Sequence, residues 1–268
     1  MTSESLVTRV VPPISTRWRG RYLVERNYMT TKAYWPVVAS GFFEPIFYLF
    51  AIGVGIGQLV GDVVASDGSM VSYAAFVAPA MLASSAMNGA IFESTNMFFK
   101  LKYGKTYDGI LATPMQPVDV ASGEIAWSLI RGGTYSLVFI IVMAAMGLVD
   151  SWWGLLALPA AVLIGFSFAA VGTAAATYMR TWQDLDLVAL VTLPLFLFSA
   201  TFYPIDVYPK AIQVLTWFSP LFHGVRLVRG LTLGMLDWTM LINMAFLITM
   251  GAIGAVITSR RIGSLLLK

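Results

Sequence analysis

The run FESTNMFFKLKYGKTYDGILATPMQPVDVASGEIAWSLIRG, residues 92 to 132, joins two long apolar stretches through a short cationic loop. Lys100, Lys102 and Lys105 open the loop, Thr106 can cap a turn of helix from Tyr107 to Ala112, and Pro114 stops it. A folded protrusion of this kind transmits force between two crossings, which a floppy linker does not. Gly104-Lys105-Thr106 imitates the tail of a phosphate-binding loop. That motif needs a glycine five residues before Gly104, where Phe99 stands, and a strand before it rather than an apolar span. Nucleotide binding by this chain is not expected.

Outward from this loop, composition fixes the class. Of the 268 residues, 58% are hydrophobic and 12% charged, with a mean hydropathy of +0.76, more apolar surface than one aqueous core can hide. Lipid is therefore the solvent. The chain has no cysteine and one histidine, which excludes disulfides, thiolate chemistry and an ordinary metal centre. The formal charge of +3 is read as a topology signal rather than as a nucleic-acid footprint.

Apolar runs near the length needed to cross a bilayer recur at Tyr34 to Leu59, Tyr73 to Phe99, Glu124 to Leu148, Trp152 to Met179, Leu187 to Tyr203 and Trp238 to Ser259. The fold predicted is an all-α membrane protein of six transmembrane helices. Residues 1–33 form a cytoplasmic tail with an amphipathic interface helix, and residues 34–268 form the six-span domain, with an inner loop at 100–123 and an outer region at 203–237. Arg9, Arg17, Arg19, Arg21, Arg26 and Lys32 precede the first span, and Arg260, Arg261 and Lys268 follow the last. With Lys100, Lys102, Lys105 and Arg180 on the same side, the positive-inside rule places both termini in the cytoplasm. Asp62, Asp67, Asp150 and Asp237 fall in the outer connections. Trp152, Trp153 and Trp238 stand at outer boundaries, and Trp35, Trp127 and Trp182 at inner ones. Pro12-Pro13 and the arginines exclude a cleavable signal peptide, and no internal repeat is visible. From Ser15 to Lys32, Trp18, Tyr22, Glu25 and Met29 recur at helical spacing, which predicts a helix lying on the inner membrane surface.

Ionisable groups inside spans call for a partner or a role. Glu93 and Arg131 lie at a shared depth, each about 9 to 10 Å inward of its boundary, so they are predicted to pair and pin the second and third spans together. A polar lining for a hydrophilic headgroup is the alternative. Glu44, some 15 Å into the first span, has no cation at equal depth and is a candidate for the substrate pathway together with Phe43 and Phe47; the aromatics, with Phe50, suit helix packing equally well. Gly53, Gly57 and Gly61 repeat every four residues and would suit a dimer seam. Between Tyr203 and Asp237 the chain is too apolar for a simple loop. Pro204, Pro209 and Pro220 cut it into pieces that are expected to dip back from the outer face as short helices. His223, Arg226 and Arg229 follow at helical spacing and are candidates for an outer gate, able to meet phosphate or carboxylate groups or to act as interfacial anchors.

The residue 92–132 run resembles the second span, cytoplasmic loop and third span of ABC type-2 exporter permeases, in the branch of nodulation protein J and antibiotic-resistance exporters. FFEPIFYLFAIGVGIG, residues 42–57, and FSPLFHGVRLVRGLTLG, residues 218–234, agree with it in order, although Phe218-Ser219 stands where the family often has an asparagine before the proline. The resemblance implies a permease subunit without catalytic residues, working as a homodimer or with a related permease. It implies two copies of a separate ABC ATPase that bind the ATP and Mg, and location in the cell inner membrane. The residues 107–113 then act as a coupling helix seated in an ATPase groove, with Ile110 and Leu111 as apolar contacts, Asp108 as a polar one, and Tyr107 and Thr113 at its ends. Its expected cargo is hydrophobic or amphipathic: a drug, a lipid or a lipid-linked glycan such as a lipooligosaccharide, carried outward. An ATPase-independent secondary transporter or channel is the competing class, and an intramembrane enzyme using Glu44, Glu93 and His223 a weaker one because these residues lie at different depths.

Overall fold

The computed structural model describes residues 18–34, 36, 43–65 and 68–266, and the side chains of all these except Glu44 and Pro45. Arg9, Arg17, Trp35, Asp67 and the Glu44 side chain lie outside what is described. In chain order the elements are α1 (Gly20–Lys32), α2 (Phe43–Tyr48), a π-helical stretch (Leu49–Ile56), α3 (Gly57–Val60), β1 (Asp62–Val64) and β2 (Met70–Ser72). There follow α4 (Tyr73–Lys102), α5 (Thr106–Leu111), α6 (Pro117–Ala145), a 3-10 turn (Trp152–Leu156) and α7 (Ala157–Tyr178). The chain continues through α8 (Asp184–Leu197), a second 3-10 turn (Ile205–Val207), α9 (Lys210–Trp217), α10 (Pro220–Leu233) and α11 (Thr239–Leu266).

Four of the expected spans are full-length helices: α4, α6, Trp152–Tyr178 and α11 are long and apolar enough to cross a membrane. The other two expected spans are less regular among the described residues. The first is broken into α2, the π stretch and α3, and ends where Gly61 adopts φ 74. The fifth, α8, has 14 residues, because Pro194 weakens its last turn and Ala200 at φ 55 turns the chain away. The all-α expectation is also corrected on the outer side. There β1 and β2 pair antiparallel, Asp62 opposite Ser72 and Val64 opposite Met70.

The core is built around α4, whose run of Ala, Ser and Gly lets α6, α7 and α10 approach closely. Helix α11 lies on α7 for the same reason: a Cβ on Gly254 would stand 2.7 Å from the Ala170 carbonyl carbon. Several polar side chains inside the bundle find partners on a neighbouring helix, although Ser136 Oγ is buried without one. Ser167 donates to the Leu247 carbonyl at 2.7 Å, and the Thr173 and Thr258 hydroxyls lie 3.1 Å apart. Gly53 and Gly57 face Ala74 and Tyr73 of the same chain, so these two do not form the dimer seam suggested by their spacing.

Helix α6 begins two turns before the expected boundary. Gln116 and Asp119 form a reciprocal cap and Pro117 occupies the first helical position. Trp127 is consequently buried in protein rather than placed in an inner aromatic belt. On the outer side, α9 runs back into the bundle until Ser219 Oγ meets Ser199 Oγ at 2.6 Å, and α10 then climbs until the Thr232 carbonyl accepts from Asp150 N–H at 3.0 Å. This pair of short helices is a dip with its backbone ends held by protein.

Candidate functional site

The inner loop is folded around one carboxylate. Glu124, which is 1% exposed, accepts from the Tyr107 hydroxyl at 2.8 Å through Oε1. Its Oε2 accepts from Lys100 Nζ at 2.8 Å and from Asn27 Nδ2 at 3.2 Å. Lys100 Nζ also donates to Asn27 Oδ1 at 3.2 Å, closing the ring of contacts. Four elements, α1, α4, α5 and α6, thus meet at one buried charge. Glu124 reads in the sequence as a span boundary, Lys100 as a loop cation and Asn27 as an ordinary helix residue; the signal that joins them is the Gln116-Pro117-x-Asp119 helix start, which places Glu124 two turns inside α6.

Tyr107 is fully buried beneath α5, packed among Leu23, Met97, Phe98 and Val120. Burial, and then the adjacent Glu124 charge, push its hydroxyl well above the ordinary tyrosine range, so it stays protonated and donates. Helix α5 is entered through Lys105 in the left-handed conformation, φ 44, and Thr106 is its first helical residue rather than its cap. Ile110 and Leu111, expected to face a partner, are half-buried against their own chain. The open face is carried instead by Asp108, Gly109, Ala112 and Thr113. Thr113 folds back, its hydroxyl donating to the Ile110 carbonyl at 2.5 Å.

Helix α1 braces this elbow. Its buried face is Gly20, Leu23 and Asn27, while Tyr22 and Met29 point outward. Trp18 Nε1 donates to Ser122 Oγ at 2.9 Å, and Arg19 donates to the Pro114 carbonyl. The contact with α6 is close: a Cβ on Gly123 would lie 2.8 Å from the Gly20 carbonyl oxygen.

Deeper in the bundle, Arg131 Nη1 lies 2.5 Å from Glu93 Oε2, joining α6 to α4. Arg131 also donates to the Tyr135 hydroxyl at 3.0 Å and lies 4.8 Å from the Phe92 ring centre. Phe43 and Phe47 stack at 6.1 Å on an exposed face of α2, apart from both ion pairs.

The outer candidates are brought together on α10. His223 is buried, with Nδ1 2.8 Å from the Asn243 amide and Nε2 3.0 Å from the Trp217 carbonyl, and its ring stacks on Phe246 at 4.2 Å. A carbonyl only accepts, so Nε2–H donates to Trp217, while Nδ1 faces the Asn243 side-chain amide. Arg226 donates to Thr239 Oγ1 at 3.2 Å, and Thr239 in turn donates to Asp237 at 2.9 Å. Arg229 donates to the carbonyls of Phe76 at 3.1 Å and Ala200 at 2.9 Å.

Four membrane-length helices, an elbow fixed to the bundle at one end and a helical dip at the other describe a multi-pass membrane protein. The ABC-2 type transporter family model matches residues 20–233, and the chain belongs to that family. It is 33% identical to Nodulation protein J of Rhizobium leguminosarum bv. viciae over 220 residues, 81% of each chain. The Nodulation protein J of Sinorhizobium fredii is 33% identical over 221 residues, covering 79% of this chain and 80% of that one. The Inner membrane transport permease YadH of Escherichia coli is 24% identical over 197 residues, 71% of this chain and 73% of its own.

Proposed function

We propose that the chain is the permease subunit of an ATP-driven exporter, with two copies facing each other and two copies of a separate ATPase gripping α5 from the cytoplasm. The observation that carries this reading is the Glu124 cluster. A loop helix fastened to α1, α4 and α6 by a buried charge moves only with those helices, so a push on its open face becomes a tilt of the bundle. Both termini lie on the cytoplasmic side of the inner membrane in this arrangement, and transport runs outward. The cargo is hydrophobic or amphipathic, in keeping with the exposed apolar faces of α2 and α8, where Phe43, Phe47, Leu190 and Val191 stand open. A second copy facing these surfaces would give the pathway its other wall, with Glu44 beside it.

Gly109 supplies the test. It sits on the open face of α5, where an added Cβ meets nothing within 4 Å. Gly109→Trp is expected to leave membrane insertion and thermal stability unchanged while abolishing copurification of a nucleotide-binding subunit with the tagged chain. Undiminished capture of that subunit by the variant would remove α5 as the contact. Because the chain has no cysteine, Gly109→Cys also reports orientation: it is expected to resist an impermeant thiol reagent in intact cells and to react after permeabilisation.

A further inference from the structure

Arg229 is a buried cation with no anion beside it among the described residues. It is 7% exposed, and among the described residues no carboxylate lies within ion-pair distance of it. Its charge is eased by neutral groups: Nε and Nη2 donate to two carbonyls, and its guanidinium carbon lies 3.7 Å from the Phe76 ring centre. A guanidinium has five N–H donors in a planar fork, and this one lines a cavity of about 620 Å³ on the outer side of the bundle. Arg226 lines the same cavity one helical turn away. The two acids on its wall, Asp206 and Asp237, are exposed, and Asp237 is already engaged by Thr239. Arg226 is therefore partly compensated through Thr239, whereas Arg229 is not.

We propose that this cavity is an anion site in which Arg229, assisted by Arg226, holds a singly charged phosphate or carboxylate group. A burial this expensive for a lone charge is relieved when a ligand brings the missing negative oxygen, and a bidentate oxyanion matches the free edge of the fork. The acids at the rim repel a doubly charged ligand more than a singly charged one, so a phosphodiester is favoured over a phosphomonoester. Val64 and Ala65 of the outer hairpin and Leu236 provide apolar wall beside the charge, which suits a headgroup still attached to its glycerol. The site goes beyond the exporter reading and stands on the buried guanidinium alone, whether or not an ATPase drives the chain.

The test is thermal stability and binding of the full chain purified in a non-ionic detergent. Three probes are titrated: dihexanoyl-phosphatidylglycerol, sodium phosphate, and neutral dihexanoylglycerol. Stabilisation by the phosphatidylglycerol alone identifies a lipid headgroup as the source. Stabilisation by both anions identifies a free anion site. Equal effects of all three, or no effect of either anion, overturn the proposal. Arg229→Gln, which retains amide donors for the two carbonyls, is expected to weaken anion binding at least about tenfold, the loss of one charge-assisted hydrogen bond. Asp237→Asn removes a rim charge while its amide oxygen can still accept from Thr239, and it keeps the argument testable if the arginine variant fails to fold. It is expected to tighten binding by roughly threefold, as removal of a screened repulsion does, and unchanged affinity in this variant places the anion outside the cavity.

Discussion

The two ends of this bundle settle their buried charges in opposite ways. At the inner end the two buried carboxylates among the described residues each have an ionic partner: Glu124 has Lys100, and one layer deeper Glu93 has Arg131. At the outer end Arg229 is held by carbonyls and an aromatic ring, and His223 by an amide and a carbonyl. An ionic pair in a low-dielectric setting is strong but intolerant of losing one member, which makes the inner end a rigid unit. Neutral acceptors hold a cation more weakly and leave it free to accept a ligand or to change partners. Force is best received by the first kind of construction, and opening is best performed by the second.

The largest effect that can break this contrast is at Glu124. Glu124→Ala leaves Lys100, Tyr107 and Asn27 without their shared acceptor, with an expected loss of about 3 to 5 kcal/mol. Thermal melting together with protease cleavage between residues 103 and 116 reads it, and a variant as stable and resistant as the parent would mean that the elbow is held by packing alone. Arg131→Met strands Glu93 and is expected to lose about 3 kcal/mol, while the double change Glu93→Leu, Arg131→Met returns to within about 1 kcal/mol of the parent. Recovery in the double variant is what separates an ion pair from two independent packing sites.

Tyr107→Phe removes a hydrogen bond to a carboxylate and is expected to lose about 1.5 to 3 kcal/mol near neutral pH. Its pH dependence has a definite sign. The folded-state hydroxyl titrates above its unfolded value, so its contribution is complete below about pH 10 and fades as the pH rises beyond it. Alkaline melting curves of the parent should therefore fall more steeply than those of the phenylalanine variant. Gly123→Ala drives a methyl group into the Gly20 carbonyl and Leu23, with an expected loss of about 1 to 3 kcal/mol; faster thiol labelling of Leu23→Cys in that background checks that α1 has lifted. The smallest effect belongs to the outer end. Asn243→Ala removes one of the two His223 partners and is expected to lose about 1 kcal/mol in a melting experiment, a fraction of the Glu124 loss.

Much of this arrangement is legible in the chain. The four membrane-length helices fall where long apolar runs lie, and Pro204, Pro209 and Pro220 mark the pieces of the outer dip. The fifth span reads longer than α8 is, because hydropathy reports the solvent of a segment and not whether its hydrogen bonds continue; Pro194 and Ala200 end that helix through backbone conformation. The β1–β2 hairpin is hard to read from the sequence: Asp67-Gly68 is a turn signal, but Val63-Val64 and Val71 give no clean alternation and long apolar runs stand on either side. At the site, matched depth along two helices brings Glu93 and Arg131 into view. Glu124 was missed because an acid beside a presumed boundary looks solvated. The half-burial of Ile110 and Leu111 is not legible in the sequence, because a six-residue helix has too few turns for its periodicity to say which side lies against its own protein.

The early start of α6 at Pro117 has a mechanical consequence. Its 29 residues make a rod about 44 Å long, pinned near one end by Glu124 and one layer further by Arg131. Tilting such a rod by about 10° around its inner end sweeps the far end through about 7 to 8 Å, wider than a water molecule and comparable to the girth of an acyl chain. Gearing of this order means that a motor needs only a short stroke at the elbow, and that stiffness at the fulcrum, more than strength at the rim, sets how much of that stroke arrives.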